Sequence, residues 1–438
     1  MFAPGPNDGD TIFALATGSV PSAIAVLRIS GPRAGELVRA MAPGSLKPRE
    51  LRLAAIRHPD KDEVLDRGFV VWFPGPQTYT GEDYLELHVH GGRAVISAFV
   101  EALGSSGRAR PAEPGEFSRR AFLNGKMDLG ALEGLSDLLA SQTEEQRRQS
   151  IAHASGFLSA KVGHWRAILL ELLARAEAAL DFPDEADAPG GLDERFFDRL
   201  RQLRGDLSAA LEDGARGEII RDGFRVAIVG APNAGKSSLL NAIAQRPAAI
   251  VTEIPGTTRD VIEVLVDLGG LLVRFFDTAG VRPTSDPVEI EGIRRTREVA
   301  ETANLILDLH TLGIESAPVQ SSVKRISVWT KSDLFPVLVK DTDFAISAVT
   351  GAGLAGLIAA VQLCAETFSN PVEPAIIVRN RHRRCLEEAL RALDTWSAEP
   401  EICAEDLRRC GRSLDSLVGR VDTEEVLGEI FSRFCIGK

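Results

Sequence analysis

Hydrophobic and polar positions follow a strand-like pattern in the first part of the chain. From Asp10 to about Arg120, short apolar runs of strand length are separated by Pro and Gly, and a helical pattern follows Gly92. This mixture predicts a small α+β domain. The apolar runs lie at residues 24–29, 69–73 and 85–89.

The next part of the chain has the periodicity of helices. Between Lys126 and Asp181 few residues break helices, and apolar residues recur every three or four positions, as on one face of a helix. Segment 182–191 is rich in Pro, Asp and Gly, so we expect a loop there, and a further helical pattern runs to about Arg216. These patterns predict helices that pack against one another.

Short β-rich runs then alternate with helical stretches from Phe224 to about Phe368, which is typical of a doubly wound α/β sheet. Helical periodicity returns after Pro374 and continues to Lys438. Because the α/β module lies between two helical segments of similar character, we expect it to be inserted into a helical domain. The predicted strands are residues 225–229, 261–268, 271–276, 305–309, 326–330 and 344–347.

Length and composition narrow the class of protein. A chain of 438 residues is too long for one ordinary core, so two or three domains are expected. No run approaches the ~18 consecutive apolar residues that a membrane-spanning helix needs. The first ten residues lack the basic and apolar segments of a secretory signal, so we expect a cytoplasmic protein.

Charge and cysteine content bear on partners and compartment. The formal net charge is −12, so any RNA partner must meet a local basic patch. The five Cys include no CxxC pair, which fits reduced thiols better than a disulfide framework or a zinc site.

The sequence GAPNAGKS at positions 230–237 matches the phosphate-binding pattern G-x-x-x-x-G-K-[ST]. It follows a predicted strand and opens a predicted helix, which is the context that the motif requires. Its glycines let backbone N–H groups surround a β-phosphate, Lys236 reaches the β- and γ-phosphate oxygens, and the Ser237 hydroxyl ligates Mg²⁺. The segment therefore predicts a nucleotide site.

Four further segments extend this site. DTAG at 277–280 ends a predicted strand, and GTTRD at 256–260 lies in a loop in which Thr258 is predicted to complete the Mg²⁺ shell. TKSD at 330–333 and Ser347-Ala348 resemble the two elements by which GTPases read guanine, and they favour GTP over ATP. The predicted GTP contacts are Asn233, Ala234, Gly235, Lys236, Ser237, Ser238, Thr252, Glu253, Ile254, Pro255, Gly256, Thr257, Thr258, Asp277, Thr278, Ala279, Gly280, Thr330, Lys331, Asp333, Ser347 and Ala348.

The rest of the chain resembles one family of GTPases. The segments that carry the resemblance are FPGPQTYTGEDYLEL at 73–87, RP at 110–111, PGEF at 114–117, AFLNGK at 121–126 and FCIGK at 434–438. In matching order over essentially the whole chain, they resemble the MnmE/TrmE family, which modifies the wobble uridine of tRNA. The implied fold class is multidomain α/β and α. It consists of a tetrahydrofolate-binding and dimerisation domain (1–120), a helical domain in two parts (121–219 and 371–438), and an inserted Ras-like P-loop G domain (220–370).

The resemblance also implies chemistry and partners. Family members form homodimers and act with an FAD-dependent partner, MnmG, to install a carboxymethylaminomethyl or aminomethyl group on carbon 5 of the wobble uridine. They use 5-formyl- or 5,10-methylene-tetrahydrofolate. The positions that resemble folate contacts are Arg28, Glu86, Lys126 and Lys438.

Two departures from common GTPase motifs bear on hydrolysis and base reading. Val281 stands where many GTPases place the glutamine that orients the attacking water, and the family assigns that role to a position that maps to Glu289. On the sequence alone, Glu289 fits equally well as a carboxylate in the first turn of a helix. The base-reading element begins with Thr330, where Asn is more common.

A monovalent cation is implied as well. In potassium-activated GTPases, the residue that corresponds to Asn233 binds K⁺ together with positions that resemble Thr252, Ile254 and Thr257. The ion lies where an arginine finger would otherwise neutralise charge. Arg259 is an alternative finger.

Three other features allow more than one interpretation. His88 and His90 share a strand face with Glu86, which suggests either a metal site or, as we favour, the polar lining of the folate pocket. Cys435 is either a catalytic or tRNA-proximal thiol or a structural residue. The basic run at residues 379–384 is either a tRNA phosphate contact or a solvated helix face.

The whole chain also has an alternative function, which is that of a ribosome-assembly or other regulatory GTPase switch.

Overall fold

The computed structural model describes residues 9–181, 192–250, 263–277, 301–312, 323–334, 343–368, 373–394, 399–419, 430 and 437. The chain divides into two compact units. Unit 1 comprises Met1–Ser136, His153–His164 and Arg412–Lys438, and unit 2 comprises Asp137–Ala152 and Trp165–Gly411. In the described residues, no helix is both long enough and apolar enough to cross a membrane.

Unit 1 contains a six-stranded sheet with the strand order β3-β4-β5-β2-β1-β6. Its central strands alternate in side-chain direction, so Leu27 and Leu87 enter the core while Arg28 and Glu86, paired across β2 and β5, face the other side. The strands are β1 (Ile12–Leu15), β2 (Ser22–Ser30), β3 (Arg52–Arg57), β4 (Val64–Phe73), β5 (Tyr84–Gly91) and β6 (Arg110–Pro111).

Helices complete the predicted α+β domain. Helices α1 (Ala34–Met41) and α2 (Arg93–Ser105) bury Leu37 and Phe99 in the sheet core. They are followed by α3 (Glu116–Leu123) and α4 (Leu129–Ala140).

Three helices follow: α5 (Glu144–Ala154), α6 (Phe157–Asp181) and α7 (Glu194–Asp222). Helices α6 and α7, of 25 and 29 residues, are the longest in the described part of the chain. The Asp193 carboxylate caps α7 by accepting a hydrogen bond from the Phe196 N–H at 2.8 Å, and the helix ends at Gly223, whose φ is +92°. Helices α4, α5 and α6 lie between Lys126 and Asp181, so the helices that the sequence predicts for this segment are present.

The α/β module of unit 2 is a seven-stranded sheet with the strand order β13-β12-β11-β7-β10-β9-β8. Strand β7 pairs in parallel with both β10 and β11, and β9 is antiparallel to β10. The elements are β7 (Phe224–Gly230), α8 (Lys236–Ala244), β8 (Ala249–Ile250), β9 (Glu263–Leu268), β10 (Leu271–Asp277), β11 (Leu305–His310), β12 (Arg325–Trp329), β13 (Phe344–Ala345) and α9 (Leu354–Glu366).

One predicted strand of this sheet is shorter than expected. Strand β13 has two residues and ends before Ser347. The Ile346 N–H still bonds the Trp329 carbonyl at 2.8 Å, but the Ser347 N–H bonds the Ala352 carbonyl at 2.9 Å instead. A turn therefore begins at Ser347, which places this residue in a loop at the strand's carboxyl end.

Helix α5 contacts the chain on both sides of the α/β module. The Gln146 side chain donates to the Arg221 carbonyl at 2.8 Å, two residues before Gly223. Gln149, one turn later, exchanges two hydrogen bonds with the Ala375 backbone, of 2.6 and 2.9 Å. Both glutamines are buried. Helix α5 therefore fixes the two segments through which the module joins the neighbouring helices. One segment follows α7, and the other precedes α10 (Asn380–Asp394) and α11 (Pro400–Leu417).

Candidate functional site

The phosphate loop connects β7 to α8. Gly230 has φ +153°, and a Cβ there would lie 2.7 Å from the Leu309 carbonyl oxygen, so only glycine fits beside β11. Asn233 and Gly235 also have positive φ, of +63° and +92°. Left-handed backbone of this kind is typical of loops whose N–H groups form an anion-binding concavity. The N-terminus of α8 follows the loop and adds its partial positive charge.

Lys236 lies over the same loop. Its Nζ is 3.1 Å from the Gly230 carbonyl and 3.1 Å from the Ala231 carbonyl, and the side chain is buried. Burial lowers the pKa of Lys236, whereas the charge of Asp277 raises it. A bound phosphate would replace weak carbonyl partners with a full negative charge, so Lys236 is held ready for it.

Ser237, the predicted Mg²⁺ ligand of the phosphate loop, contacts Asp277 at the end of β10. The Ser237 hydroxyl donates to Asp277 Oδ2 at 2.7 Å, and Asp277 Oδ1 is buried with no hydrogen-bond partner in the described part of the chain. An orphaned carboxylate oxygen beside a hydroxyl is an oxygen donor set that suits Mg²⁺. These residues therefore fit the metal that the sequence predicts.

The predicted guanine-reading element contacts the phosphate loop through Thr330. Its buried hydroxyl lies 2.7 Å from the Ala234 carbonyl and 3.2 Å from the His310 carbonyl. The shorter side chain thus reaches the loop that the more common Asn would support. Lys331 has φ +59°, and Asp333 lies exposed at the end of the element.

Ser347 and Ala348 lie near this element. The Ser332 N–H bonds the Ile346 carbonyl at 3.1 Å, which holds the two segments side by side, and Ser347 is fully buried. The remaining predicted residues of the nucleotide site lie outside the described residues. They are Thr252, Glu253, Ile254, Pro255, Gly256, Thr257, Thr258, Thr278, Ala279, Gly280 and Glu289, together with the alternative finger Arg259.

A second candidate site is a cavity of about 360 Å³ in unit 1. The structure brings the predicted folate residues Arg28 and Glu86 together in its wall, with Arg28 Nε 3.3 Å from Glu86 Oε1. The cavity is lined by Arg28, Arg49, Phe73, Gln77, Thr78, Tyr79, Tyr84, Glu86 and Leu135.

Aromatic residues make up much of this wall. The Tyr84 hydroxyl donates to Glu86 Oε1 at 3.4 Å, and Arg49 lies over the Phe73 ring, with its guanidinium carbon 5.7 Å from the ring centre. Burial raises the pKa of both Tyr79 and Tyr84, so both phenols stay neutral and can donate. The sequence reasoning missed Arg49 and the two tyrosines; Tyr79 and Tyr84 lie in the motif at 73–87, whereas no signal marked Arg49.

The other predicted folate and thiol positions are less directly placed. Lys126 is exposed, and its side chain lies beside Gly81 in the loop that follows Tyr79. A Cβ added at Gly81 would be 3.2 Å from Lys126 Cε. Lys438 and Cys435 lie outside the described residues. Gly437, beside Lys438, is buried and packs against the Leu15 carbonyl.

The ambiguous polar clusters have local partners. Among the described residues, no group of three His, Cys, Asp or Glu side chains could hold a metal ion. His88 contacts Glu86, and His90 contacts Asp66. In the basic run, Arg379 pairs with Asp137 at 2.7 Å and Arg383 with Glu218 at 3.0 Å, so both guanidinium groups form ion pairs within the protein.

The sheet, the loop leading from β7 into α8, the paired Ser237 and Asp277 and the Thr-Lys-x-Asp element define a P-loop GTPase. Family models assign both parts of the chain: residues 11–126 match "GTP-binding protein TrmE N-terminus" and residues 129–435 match "MnmE helical domain". The chain belongs to the MnmE family of tRNA modification GTPases, and it is a GTP hydrolase.

Curated relatives match along nearly their whole length. The tRNA modification GTPase MnmE of Beijerinckia indica is 47% identical over 98% of this chain and 96% of its own. That of Methylorubrum populi is 48% identical over 99% of both chains. Among solved structures, the G domain of the T. maritima FeoB iron transporter is 21% identical over 34% of this chain and 99% of its own, with a TM-score of 0.25, which is too low to bear on function. The match at 11–126 does not support the alternative of a ribosome-assembly switch.

Proposed function

We propose that this chain couples GTP hydrolysis to a folate-dependent modification of tRNA. With the FAD-dependent partner MnmG, it adds a carboxymethylaminomethyl group to carbon 5 of the wobble uridine of certain tRNAs. The observation that carries the proposal is the presence, in one chain of this family, of a GTP site and of a separate aromatic cavity with charged groups of both signs.

The cavity suits a one-carbon tetrahydrofolate. Its volume lies within the range of roughly 300–1,000 Å³ that is usual for small-molecule sites. The rings of Phe73, Tyr79 and Tyr84 offer faces to a flat pterin. The Glu86 carboxylate can accept from pterin N–H donors, and Arg28 and Arg49 supply cations for a glutamate tail. Lys126 and Lys438 are the proposed further contacts.

The GTP site suits charge stabilisation. Lys236 and Ser237 would face the phosphates, and Ser237, Thr258 and Asp277 would hold Mg²⁺, which would supply positive charge against the phosphate oxygens. Glu289 orients the attacking water in place of the absent glutamine at position 281.

The proposed monovalent site uses Asn233, Thr252, Ile254 and Thr257. The proposal is supported by the left-handed backbone of Asn233 in the phosphate loop, where its φ is +63°. K⁺ bound there would supply the positive charge that an arginine finger supplies elsewhere.

We expect GTP hydrolysis to be much faster in K⁺ than in Na⁺ at equal ionic strength, because the smaller ion cannot span the same ligands. Steady-state rates of GTP hydrolysis in the two salts measure this. Equal rates would contradict the assignment of the monovalent site.

The proposed assembly is a homodimer. The sheet face that carries Glu86 also exposes Ile24, Leu53 and Phe69, which are 58%, 54% and 41% accessible, and Leu53 and Phe69 are cross-strand neighbours. The family resemblance implies a homodimer, and we propose a second copy of the chain as the occupant of this apolar strip. Light scattering that gives the mass of a single 47.1 kDa chain would contradict it.

Replacing Glu86 with Gln tests the folate site. The variant keeps the side chain's size but loses its charge, and a hydrogen bond to a charged group is worth about 1.5–3 kcal/mol. We therefore expect the Kd for 5-formyl-tetrahydrofolate to rise roughly 10- to 150-fold in a calorimetric titration. Glu101→Gln, on the exposed face of α2, is the matched control and should bind as the wild type does. Unchanged affinity in Glu86→Gln would place the folate elsewhere.

A further inference from the structure

Two side chains that do not line the cavity of unit 1 contact two that do. His88 Nε2 lies 3.1 Å from Glu86 Oε2, and Ser118 Oγ lies 2.8 Å from the Tyr79 hydroxyl. His88 is two residues beyond Glu86 on β5, so both project from the same sheet face. Ser118 belongs to α3 and is fully buried. Each therefore acts on the cavity through a neighbour.

The Glu86 carboxylate is held at both oxygens. Arg28 and the Tyr84 hydroxyl approach Oε1, and His88 approaches Oε2. Rotation about the last side-chain bond of Glu is soft, so contacts at one oxygen alone leave the plane of the carboxylate free to turn. A carboxylate only accepts, so His88 Nε2 must carry the proton in this contact. His88 thus fixes which way Glu86 presents its oxygens.

The Tyr79 ring is held from α3. Tyr79 lies in the loop between β4 and β5, and two other side chains connect this loop to α3 and its C-terminal end. The Asn124 side chain donates to the Thr80 carbonyl at 2.6 Å, and Arg120 pairs with Glu82 at 3.0 Å. These two contacts hold the loop's backbone and its far end, whereas Ser118 contacts the hydroxyl of Tyr79 itself. Ser118 thus fixes the direction of the ring.

We propose that His88 and Ser118 are positioning residues for the cavity's ligand. The inference rests on the proposed function in taking that ligand to be a one-carbon tetrahydrofolate. His88 orients the carboxylate that pairs with pterin N–H donors, and Ser118 orients the ring that flanks the pterin. A group that is ordered before binding loses less conformational freedom when the ligand arrives, so both residues raise affinity without touching it.

Conservative and disruptive variants separate positioning from general stability. His88→Gln keeps an N–H donor at similar reach, whereas His88→Leu removes it. We expect the Kd for 5-formyl-tetrahydrofolate to rise about tenfold in His88→Leu and to stay within about threefold of wild type in His88→Gln. Thermal unfolding of the two variants should agree closely, because His88 lies on a partly exposed sheet face.

A double-mutant cycle tests Ser118. Ser118→Ala alone should raise the Kd about fivefold, and in a Tyr79→Phe background it should have no further effect, because the hydroxyl through which Ser118 acts is gone. Additive losses in the double variant would show that Ser118 does not act through Tyr79. If Ser118→Ala fails to fold, the His88 pair still decides the inference.

A readout without ligand is available because the chain contains only two tyrosines, Tyr79 and Tyr84, and both line the cavity. Incorporation of 3-fluorotyrosine should give two ¹⁹F resonances, assigned with Tyr79→Phe and Tyr84→Phe. We expect Ser118→Ala to shift the Tyr79 resonance. His88→Leu should shift that of Tyr84, which shares Glu86, and His88→Gln should restore it.

The outcomes are distinguishable. If the wild type fails to bind the folate but the resonances respond as expected, the proposed ligand is wrong and the positioning roles are supported. If the wild type binds it and neither His88→Leu nor Ser118→Ala changes affinity or resonances, the positioning inference is overturned and the folate proposal stands.

Discussion

Replacing Asp333 with Asn should transfer the base preference of this GTPase from GTP to XTP. A carboxylate can accept from both the ring N–H and the exocyclic amino group of guanine, and each such hydrogen bond is worth about 1.5–3 kcal/mol. An amide can accept only at its oxygen, but its NH₂ suits the second carbonyl oxygen of xanthine. We expect GTP affinity to fall roughly 100-fold or more, with XTP binding more tightly than GTP.

The structure makes this a test of one side chain. The fold around Asp333 is held by other residues: Thr330 reaches the Ala234 carbonyl, and Ser332 bonds the Ile346 backbone. Asp333 itself is exposed, so its replacement by an amide of equal size should not disturb them. XTP binding by the variant is the internal control for an intact site, and a variant that still prefers GTP would show that base reading lies elsewhere.

Replacing Glu289 with Ala should remove most GTP hydrolysis while leaving GTP affinity nearly unchanged. The residue is proposed to act on the attacking water and not on the nucleotide, so its loss should lower kcat alone. Positioned acid–base groups contribute about 10²- to 10⁴-fold to rate, and we expect a loss in that range. Single-turnover hydrolysis and equilibrium nucleotide titration measure the two quantities separately.

Glu291 provides the control for this prediction. It lies two residues beyond Glu289, so Glu291→Ala removes an equal charge from the same segment. Its rate should stay near that of the wild type. A parallel fall in GTP affinity in Glu289→Ala, or an equal loss of rate in both variants, would count against the assigned role.

The conformation of the phosphate loop could be predicted because its information is local. Residues 230–237 adopt their loop from glycine positions within eight consecutive residues, and β10 places Asp277 at the sheet edge by parallel pairing with β7. The contact between Thr330 and the Ala234 carbonyl could not be predicted, since it joins residues 96 positions apart. A sequence pattern shows that Asn is absent there but not that a hydroxyl reaches the loop.

The cavity of unit 1 was only partly predictable. Arg28 and Glu86 could be named from the family resemblance, but their contact depends on the pairing of β2 with β5. Arg49 lines the cavity from an irregular segment, its own φ is +63°, and it belongs to no recognised motif. Its place in the wall follows from tertiary packing that neither periodicity nor spacing encodes.

Short elements were also missed. Strand β1 has four residues and α1 has eight, too few for periodicity to separate them from the surrounding Pro- and Gly-rich segments. Strand β3 lies at the sheet edge, and its alternation is weak because Ala54 and Ala55 interrupt it. Long helices such as α6 and α7 could be predicted because their apolar face repeats over many turns.

The nucleoside composition of tRNA from cells that lack this protein is the decisive measurement for the proposed tRNA modification. In mass spectra of digested tRNA from such cells, the carboxymethylaminomethyl group on carbon 5 of the wobble uridine should be absent. The wild-type gene should restore it, and the Lys236→Ala variant, which lacks the cation that we propose binds the phosphates, should not. Wobble uridines that remain fully modified without the protein would contradict the proposed function.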